Sequence, residues 1–495
     1  MGKRLTGPVL LMAAVSGVVP LSCTVGPEYE RPRVEVPEAW RFGTEEALDT
    51  ADVAWWALFE DPVLDQLVVE ALHANMDVRI AAARVEEFAA RIGISRSAAF
   101  PQVGYGAEAG RQEISREIGA GKLGGERISD FFNASLNVGW EIDLWGRVRR
   151  ATDAARADML AAEEVRRGVI LTLVTSVATS YIGLRSLDEQ LVIARRKLET
   201  RRSTVELFEL QFEKGVISQL ELAQIRSEYE RTAATIPALE RDIALLENSL
   251  SVLLGRAPGP VARGRGIDDL ALPPVPAGLP SDLLRRRPDL REAEQRMIAA
   301  NERIGVAMTG AYPRLSLTAV LGLASDDLST LATSDAGLWS VAAGLTGPIF
   351  TAGRVRSEVE AASAVERQAV EGYLLAILTA LRESEDALVT RSTTIDEAEA
   401  QRRQTEALAQ YADLANRRYD NGYVGYLEVL DAERDLFDAE LNRVRLRASL
   451  CAALVGIYKA FGGGWVSLAE AAADDAGGGG STSEVDPTTG RDPEE

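Results

Sequence analysis

Lys214-Gly215-Val216-Ile217-Ser218-Gln219-Leu220-Glu221 returns later in the chain as Asn421-Gly422-Tyr423-Val424-Gly425-Tyr426-Leu427-Glu428, an offset of 207 residues (421 − 214). Gly146-Arg147-Val148-Arg149 returns as Gly353-Arg354-Val355-Arg356 at the same offset (353 − 146), and Gly255 and Gly462 obey it too. Phe100-Pro101 matches Tyr312-Pro313 at 212 (313 − 101), so a small length change lies between the first strand of each copy and its glycine. Helical sequence that resembles itself by chance would not keep all these positions together. The chain is therefore two tandem copies of one unit, and the architecture follows from the unit.

Each unit pairs very long helices with short strands. The stretch from Gly146 to Gly215 is rich in Ala, Leu, Glu and Arg and contains no proline, and Arg354 to Gly422 reads the same way. At about 1.5 Å per residue each helix reaches roughly 100 Å, more than a globular domain can use. Gln219 to Leu254 together with Asp61 to Ser97 supplies about the same length, so two shorter helices stacked end to end can pair with one long one. Tyr426 to Phe461 and Pro288 to Gly310 do the same in the second copy. The strand signal is alternation. Leu136, Val138, Trp140, Ile142 and Leu144 are apolar with Ser135, Asn137, Glu141 and Asp143 between them. The same period runs through Val103, Tyr105, Ala107 and Ala109, through Leu315 to Leu323, and through Trp339 to Leu345. These segments predict strands near 102–111, 133–144, 314–323 and 338–347, each about ten residues, the length a tilted strand needs to cross a bilayer. Four strands cannot close a barrel, and an open edge in lipid leaves peptide groups unpaired, so closure must come from several chains.

Composition narrows the function by exclusion. The net charge of −21 over 495 residues argues against nucleic acid, whose binding needs a concentrated basic face. Only Cys23 and Cys451 are present, which excludes a disulfide framework or a thiolate metal cluster. Cys451, in the apolar stretch Leu446 to Tyr458, reads as a buried core thiol. The one histidine, His73, lies in an amphipathic helical stretch with no partner set for a metal or a nucleophile, and Gly104 to Gly110 lacks both dinucleotide and P-loop spacing. No catalytic residue, cofactor or metal is expected. Lys3 and Arg4, an apolar stretch from Pro8 to Leu21 too short to span, and then Ser22-Cys23 make a secretory signal. It resembles a bacterial lipoprotein signal, which implies lipidation of Cys23, with Thr24 following as in proteins sorted to the outer membrane. The expected division is a signal peptide over 1–22, an extended segment over 23–60, a first repeat over 61–260, a linker over 261–283, a second repeat over 284–465 and a disordered acidic tail over 466–495.

Cys23-Thr24-Val25-Gly26-Pro27, Trp55-Trp56, Glu141-Ile142-Asp143-Leu144-Trp145-Gly146 and Leu284-Arg285-Arg286-Arg287-Pro288-Asp289-Leu290 resemble the TolC family of outer-membrane factors, its OprM-like lipoprotein branch most of all. Nearly the whole chain takes part. The resemblance implies a homotrimer in which three chains build one twelve-stranded β-barrel, continuous with a periplasmic α-helical barrel. It implies a passive exit duct of a tripartite efflux system, served by a periplasmic adaptor and an inner-membrane pump. An exit duct for type I protein secretion and a lipid-anchored coiled-coil scaffold are the competing readings. Carried over by residue, Lys214 to Leu220 and Asn421 to Leu427 are the adaptor-facing tips. Glu428 and Asp431, three apart on one helical face, match the acidic rings of the closed aperture, with Asp435 a turn further on. In a trimer such rings repel internally, attract cations and make closure sensitive to pH. Tyr419 matches a residue that locks the closed tip, although Val424 stands where the arginine partner is usual.

Overall fold

The computed structural model describes residues 24–43, 53–113, 115, 128–275, 280–462, 465–469 and 471. The leader, Cys23 and the acidic tail beyond 471 lie outside the described residues.

Among the described residues, these α-helices and strands run in chain order: α1 (Pro62–Ala74), α2 (Met76–Ser97), β1 (Gln102–Glu113), β2 (Ile128–Ile142), α3 (Arg147–Glu213), α4 (Gln219–Leu253), α5 (Leu283–Arg286), α6 (Pro288–Met308), β3 (Arg314–Ser325), β4 (Gly337–Thr346), α7 (Arg354–Asp420) and α8 (Tyr426–Ala460). The repeat is kept to the residue in its longest parts: α3 and α7 each have 67 residues, and α4 and α8 each have 35. The chain divides into two compact units. One holds residues 1–33, 85–162 and 293–373; the other holds 34–84, 163–292 and 374–495.

The first unit contains the sheet, antiparallel in the order β1-β2-β3-β4. Its register aligns the apolar positions of all four strands. Val103 faces Val138, which faces Ala319, which faces Val341; Tyr105 faces Leu136, then Leu321, then Trp339. Directly paired residues share a face, so one surface carries these side chains while Gly106, Ser135, Gly322 and Asn137 fall on the other. Tyr105, Trp339 and Val341 are 90%, 77% and 67% exposed in the isolated chain, an arrangement suited to lipid rather than water. β2 ends at Ile142, short of the expected Leu144, because Asp143 turns back to cap α3 by accepting from the amides of Val148 (3.1 Å) and Arg149 (3.0 Å). In this unit, too, residues 25–31 are strapped along α6: Val25 N–H donates to Trp145 O (3.1 Å), Arg150 to Gly26 O (3.3 Å), Asn301 to Pro27 O (3.3 Å), and both Tyr29 and Arg31 bond Glu294.

The second unit contains the hydrophobic core, where Trp55, Trp56, Phe59, Trp465 and Tyr458 pack with Leu64, Val174 and Tyr181. α3 includes an 18-residue window apolar enough to cross a membrane by composition, but half of it is buried, and Ile170, Leu173, Val174 and Val177 belong to this core. Cys451 is fully buried, and desolvation pushes its thiol up to about 11. Val466 and Ala469 are buried in the same core, so the tail begins later than the expected residue 466; apolar contact with Trp465 and its neighbours holds them. Segment 261–283 is likewise no free linker, since Val261, Ile267 and Leu270 enter the core.

The expected helix from Asp61 to Ser97 is broken at Asn75, which is extended and caps α2 through Asp77 N–H (2.8 Å) and Val78 N–H (3.2 Å). Its amide also donates to Leu253 O at the end of α4 (2.9 Å). The second repeat makes the equivalent joint with a charge: Arg287 donates to Ala460 O at the end of α8 (3.0 Å) while pairing with Asp289 (2.8 Å) and Glu383 (2.7 Å). The basic run Arg285 to Arg287 thus precedes the start of α6, and its last member is buried among partners.

Candidate functional site at the hairpin tips

The site is where the long helices reverse. α3 ends on Gly215 and α7 on Gly422, with φ of 72° and 74°. At the first tip Val216 N–H bonds Gln211 O (2.9 Å) and Gly215 N–H bonds Phe212 O (2.9 Å). At the second, Tyr423 N–H bonds Arg418 O (2.9 Å) and Gly422 N–H bonds Tyr419 O (2.8 Å). Both are Schellman ends, which close a helix by using its last carbonyls and require a left-handed residue, hence glycine.

After the turn the two copies diverge. Ser218 caps α4 in a reciprocal box: its hydroxyl accepts from Glu221 N–H (3.3 Å), and the Glu221 carboxylate accepts from Ser218 N–H (2.7 Å). The backbone amide of Ser218 and then its side chain hold the Glu221 carboxyl below the ordinary glutamate range. In the second copy the cap position is Gly425, which has no side chain to give, and Glu428 instead accepts from Arg418 at 3.0 Å. Asp431 pairs with Arg434 at 3.2 Å, and Asp435 shares the same guanidinium at 3.3 Å. Each acidic residue singled out in the sequence therefore has an arginine of its own chain beside it. Neither arginine was marked by a motif; a charge count over the turns flanking Tyr419 and Asp431 is the only signal that points to them.

Of the tip residues, Val216, Leu220, Tyr423 and Leu427 are more than half exposed, whereas Ile217 and Tyr426 turn inward. Tyr426 joins Phe208 (ring centroids 4.4 Å apart) and Tyr419 (5.1 Å), and Phe208 is 2% exposed between Leu222, Ile225 and Leu430. Because Phe208 is on α3, Tyr419 on α7 and Tyr426 on α8, this aromatic cluster ties one hairpin to the other. Burial, then the charges of Glu221 and Asp420, raise the Tyr419 hydroxyl; burial pushes Tyr426 up to about 12. Both phenols stay neutral at physiological pH and act by packing, Tyr426 also through a side-chain hydrogen bond with Thr204. A second tie is ionic: Lys197 on α3 reaches Glu433 on α8 at 2.8 Å, both side chains 16% exposed. Sequence could not pair residues 236 apart, and neither Phe208 nor Lys197 carries a local motif. Among the described residues no group of acidic, histidine or cysteine side chains could hold a metal ion.

The family model described as outer membrane efflux protein matches residues 67–256 and 279–463, one match per repeat. The toluene efflux pump outer membrane protein TtgF of Pseudomonas putida is 34% identical over 473 residues, covering 93% of this chain and 97% of that protein. The cation efflux system protein CusC of Escherichia coli is 33% identical, covering 90% and 96%. The open-state crystal structure of the MtrE outer membrane channel of Neisseria gonorrhoeae superposes with a TM-score of 0.80 at 30% identity, covering 90% and 99%. A sheet whose apolar positions align on one face, two helical hairpins of equal length and a family match on both halves lead to one conclusion: the chain belongs to the outer membrane efflux protein family and forms the outer-membrane channel of an efflux system.

Proposed function

We propose that three copies of the chain close a twelve-stranded barrel over a helical duct, and that the duct passively conducts small toxic compounds outward, its inner end gated at the second hairpin tip. The observation that carries the gate is the pairing of Glu428 with Arg418 and of Asp431 and Asp435 with Arg434. In a trimer each acidic ring then arrives with an arginine ring beside it. The positive charges offset repulsion among the carboxylates, so a closed tip does not have to bury three like charges together. Opening that parts α7 from α8 breaks only the Glu428–Arg418 pair, since Asp431, Asp435 and Arg434 all lie on α8, and the loss is modest because both groups are part-exposed.

The exposed Val216, Leu220, Tyr423 and Leu427 suit contact with the hairpin tips of a periplasmic adaptor, which links the duct to an inner-membrane pump. The strap of residues 25–31 supports a lipid on Cys23. It fixes Thr24 against Gly146, at the helical end of β2, where an acyl chain on the preceding residue can reach the membrane. Toluene and cation export by the relatives favours small cargo over protein cargo. Bilayer conductance tests the gate: Glu428→Gln with Asp431→Asn weakens block by di- or trivalent cations from the tip side, and unchanged block removes both residues from the aperture.

A further inference from the structure

The loop from β4 to α7 carries two of the most exposed large apolar side chains of the first unit: Ile349 is 104% and Phe350 88% accessible. Its counterpart in the first repeat, 207 residues earlier, has Ile142-Asp143-Leu144-Trp145-Gly146. There Asp143 caps α3, and the Trp145 indole donates to Pro313 O (2.7 Å). Phe350 stands where Asp143 stands and cannot accept a hydrogen bond, so the second loop gives up a helix cap to display a phenyl ring. The backbone makes a further concession, since Ala352 and Gly353 both adopt positive φ, 49° and 88°, and alanine is sterically strained there. The loop is also anchored at its base. Gly347 lies so close to Pro313 that a methyl group on it would collide.

The loop's place in the fold says what the ring is for. All four strands meet the helices at one end of the sheet, and each has an aromatic residue there: Phe100 before β1, Trp145 after β2, Tyr312 before β3 and Phe350 after β4. Trp145 and Tyr312 pack at 4.8 Å. β4 leads into the loop with Trp339, Val341 and Leu345 outward and exposed, on the apolar face shared by all four strands. Membrane barrels ring their lipid band with aromatics at the water boundary.

We propose that Ile349 and Phe350 form a wedge that enters the periplasmic leaflet of the outer membrane at the boundary between headgroups and acyl chains, fixing the depth at which the barrel sits. The occupant is phospholipid, because the wedge continues the lipid face of β4. The proposal rests on that sheet spanning the membrane, and the test separates the two.

A thiol-reactive fluorophore is placed on Ile349→Cys, on Val341→Cys in mid-strand and on Tyr423→Cys at the tip, with the unsubstituted chain labelled in parallel; buried Cys451 is shielded from the label. Each full-length protein is reconstituted in phosphatidylethanolamine–phosphatidylglycerol vesicles. Lipids brominated next to the glycerol should quench position 349 more than lipids brominated at the chain end, with the order reversed at 341 and aqueous iodide effective only at 423. Iodide quenching at 349 equal to that at 423 overturns the wedge, and so does shielding of 349 from both quenchers, which means contact between copies of the chain. Absence of lipid quenching at 341 instead sinks the spanning sheet. Phe350→Asp, which restores the cap that Asp143 provides, should keep helix content by circular dichroism but lower the yield of vesicle insertion; an undiminished yield counts against the wedge.

Discussion

The two hairpin tips share a turn and differ in the residues just after it. Both reverse through a glycine at positive φ with the same pair of closing hydrogen bonds. The first then locks its glutamate into its own turn through Ser218, while the second, with Gly425 in that place, releases Glu428 to an arginine on the neighbouring helix. Duplication fixed the reversal twice, and a serine-to-glycine difference between the copies turned one glutamate from a cap into a charge that bridges two helices. The position 207 residues before Asp431 holds Gln224, so only the second tip has acids at both the Glu428 and the Asp431 positions. A repeat thus keeps its backbone requirements first; side chains that the backbone no longer uses are free for function.

The largest expected effect breaks the joint between the tips. Phe208→Ala removes the ring between Tyr426, Leu222 and Leu430 and should cost about 3–5 kcal/mol. Thermal unfolding should fall accordingly, and single channels should leak in the absence of any adaptor. A melting point and closed-state conductance equal to wild type would show that the hairpins are held elsewhere.

Next comes the ionic tie. Lys197→Gln leaves Glu433 shielded and unpaired, at a cost of about 3 kcal/mol, and Lys197→Gln with Glu433→Gln should recover most of it. A double-mutant cycle with no coupling energy would reduce the pair to a coincidence of geometry.

Exchanging the caps probes the contrast between the tips directly. Ser218→Ala should destabilise the first tip by about 1 kcal/mol, whereas Gly425→Ser should gain a few tenths and draw Glu428 back toward its own helix. The second variant should then weaken cation block, the same readout as neutralising Glu428. If block is unchanged, freedom of Glu428 is not the property that separates the tips.

The smallest effect is a difference in pH response. Glu221 has a folded-state pKa below its unfolded value of 4.5, so its contribution is complete above that value and is lost as pH falls through the folded pKa. Hydrogen exchange, corrected for intrinsic rate, should show Ser218 to Leu222 loosening in that acid range, and Glu221→Gln, which removes the titrating carboxyl, should abolish the transition. A transition that survives the substitution would assign it to another carboxylate.

Much of the architecture is legible in the sequence because it is local or periodic. Alternation marks the four strands, proline-free runs mark α3 and α7, and duplicated glycines mark the turns, since each arises from backbone geometry within a few residues. Two local expectations needed adjustment. Asn75 breaks a helix with no proline or glycine to announce it, because an asparagine side chain can compete with the backbone for two amides. Asp143 ends β2 early for the same reason.

The amino-acid sequence by itself determined the duplication, the element types and which acids stand at the second tip, since periodicity and spacing are properties of the chain alone. Tertiary structure decided the partners: Phe208 with Tyr419 and Tyr426, Lys197 with Glu433, Arg287 with Ala460 O and Glu383. Those contacts join residues far apart in the chain, and only the packing of long helices side by side brings them within a few ångströms of each other.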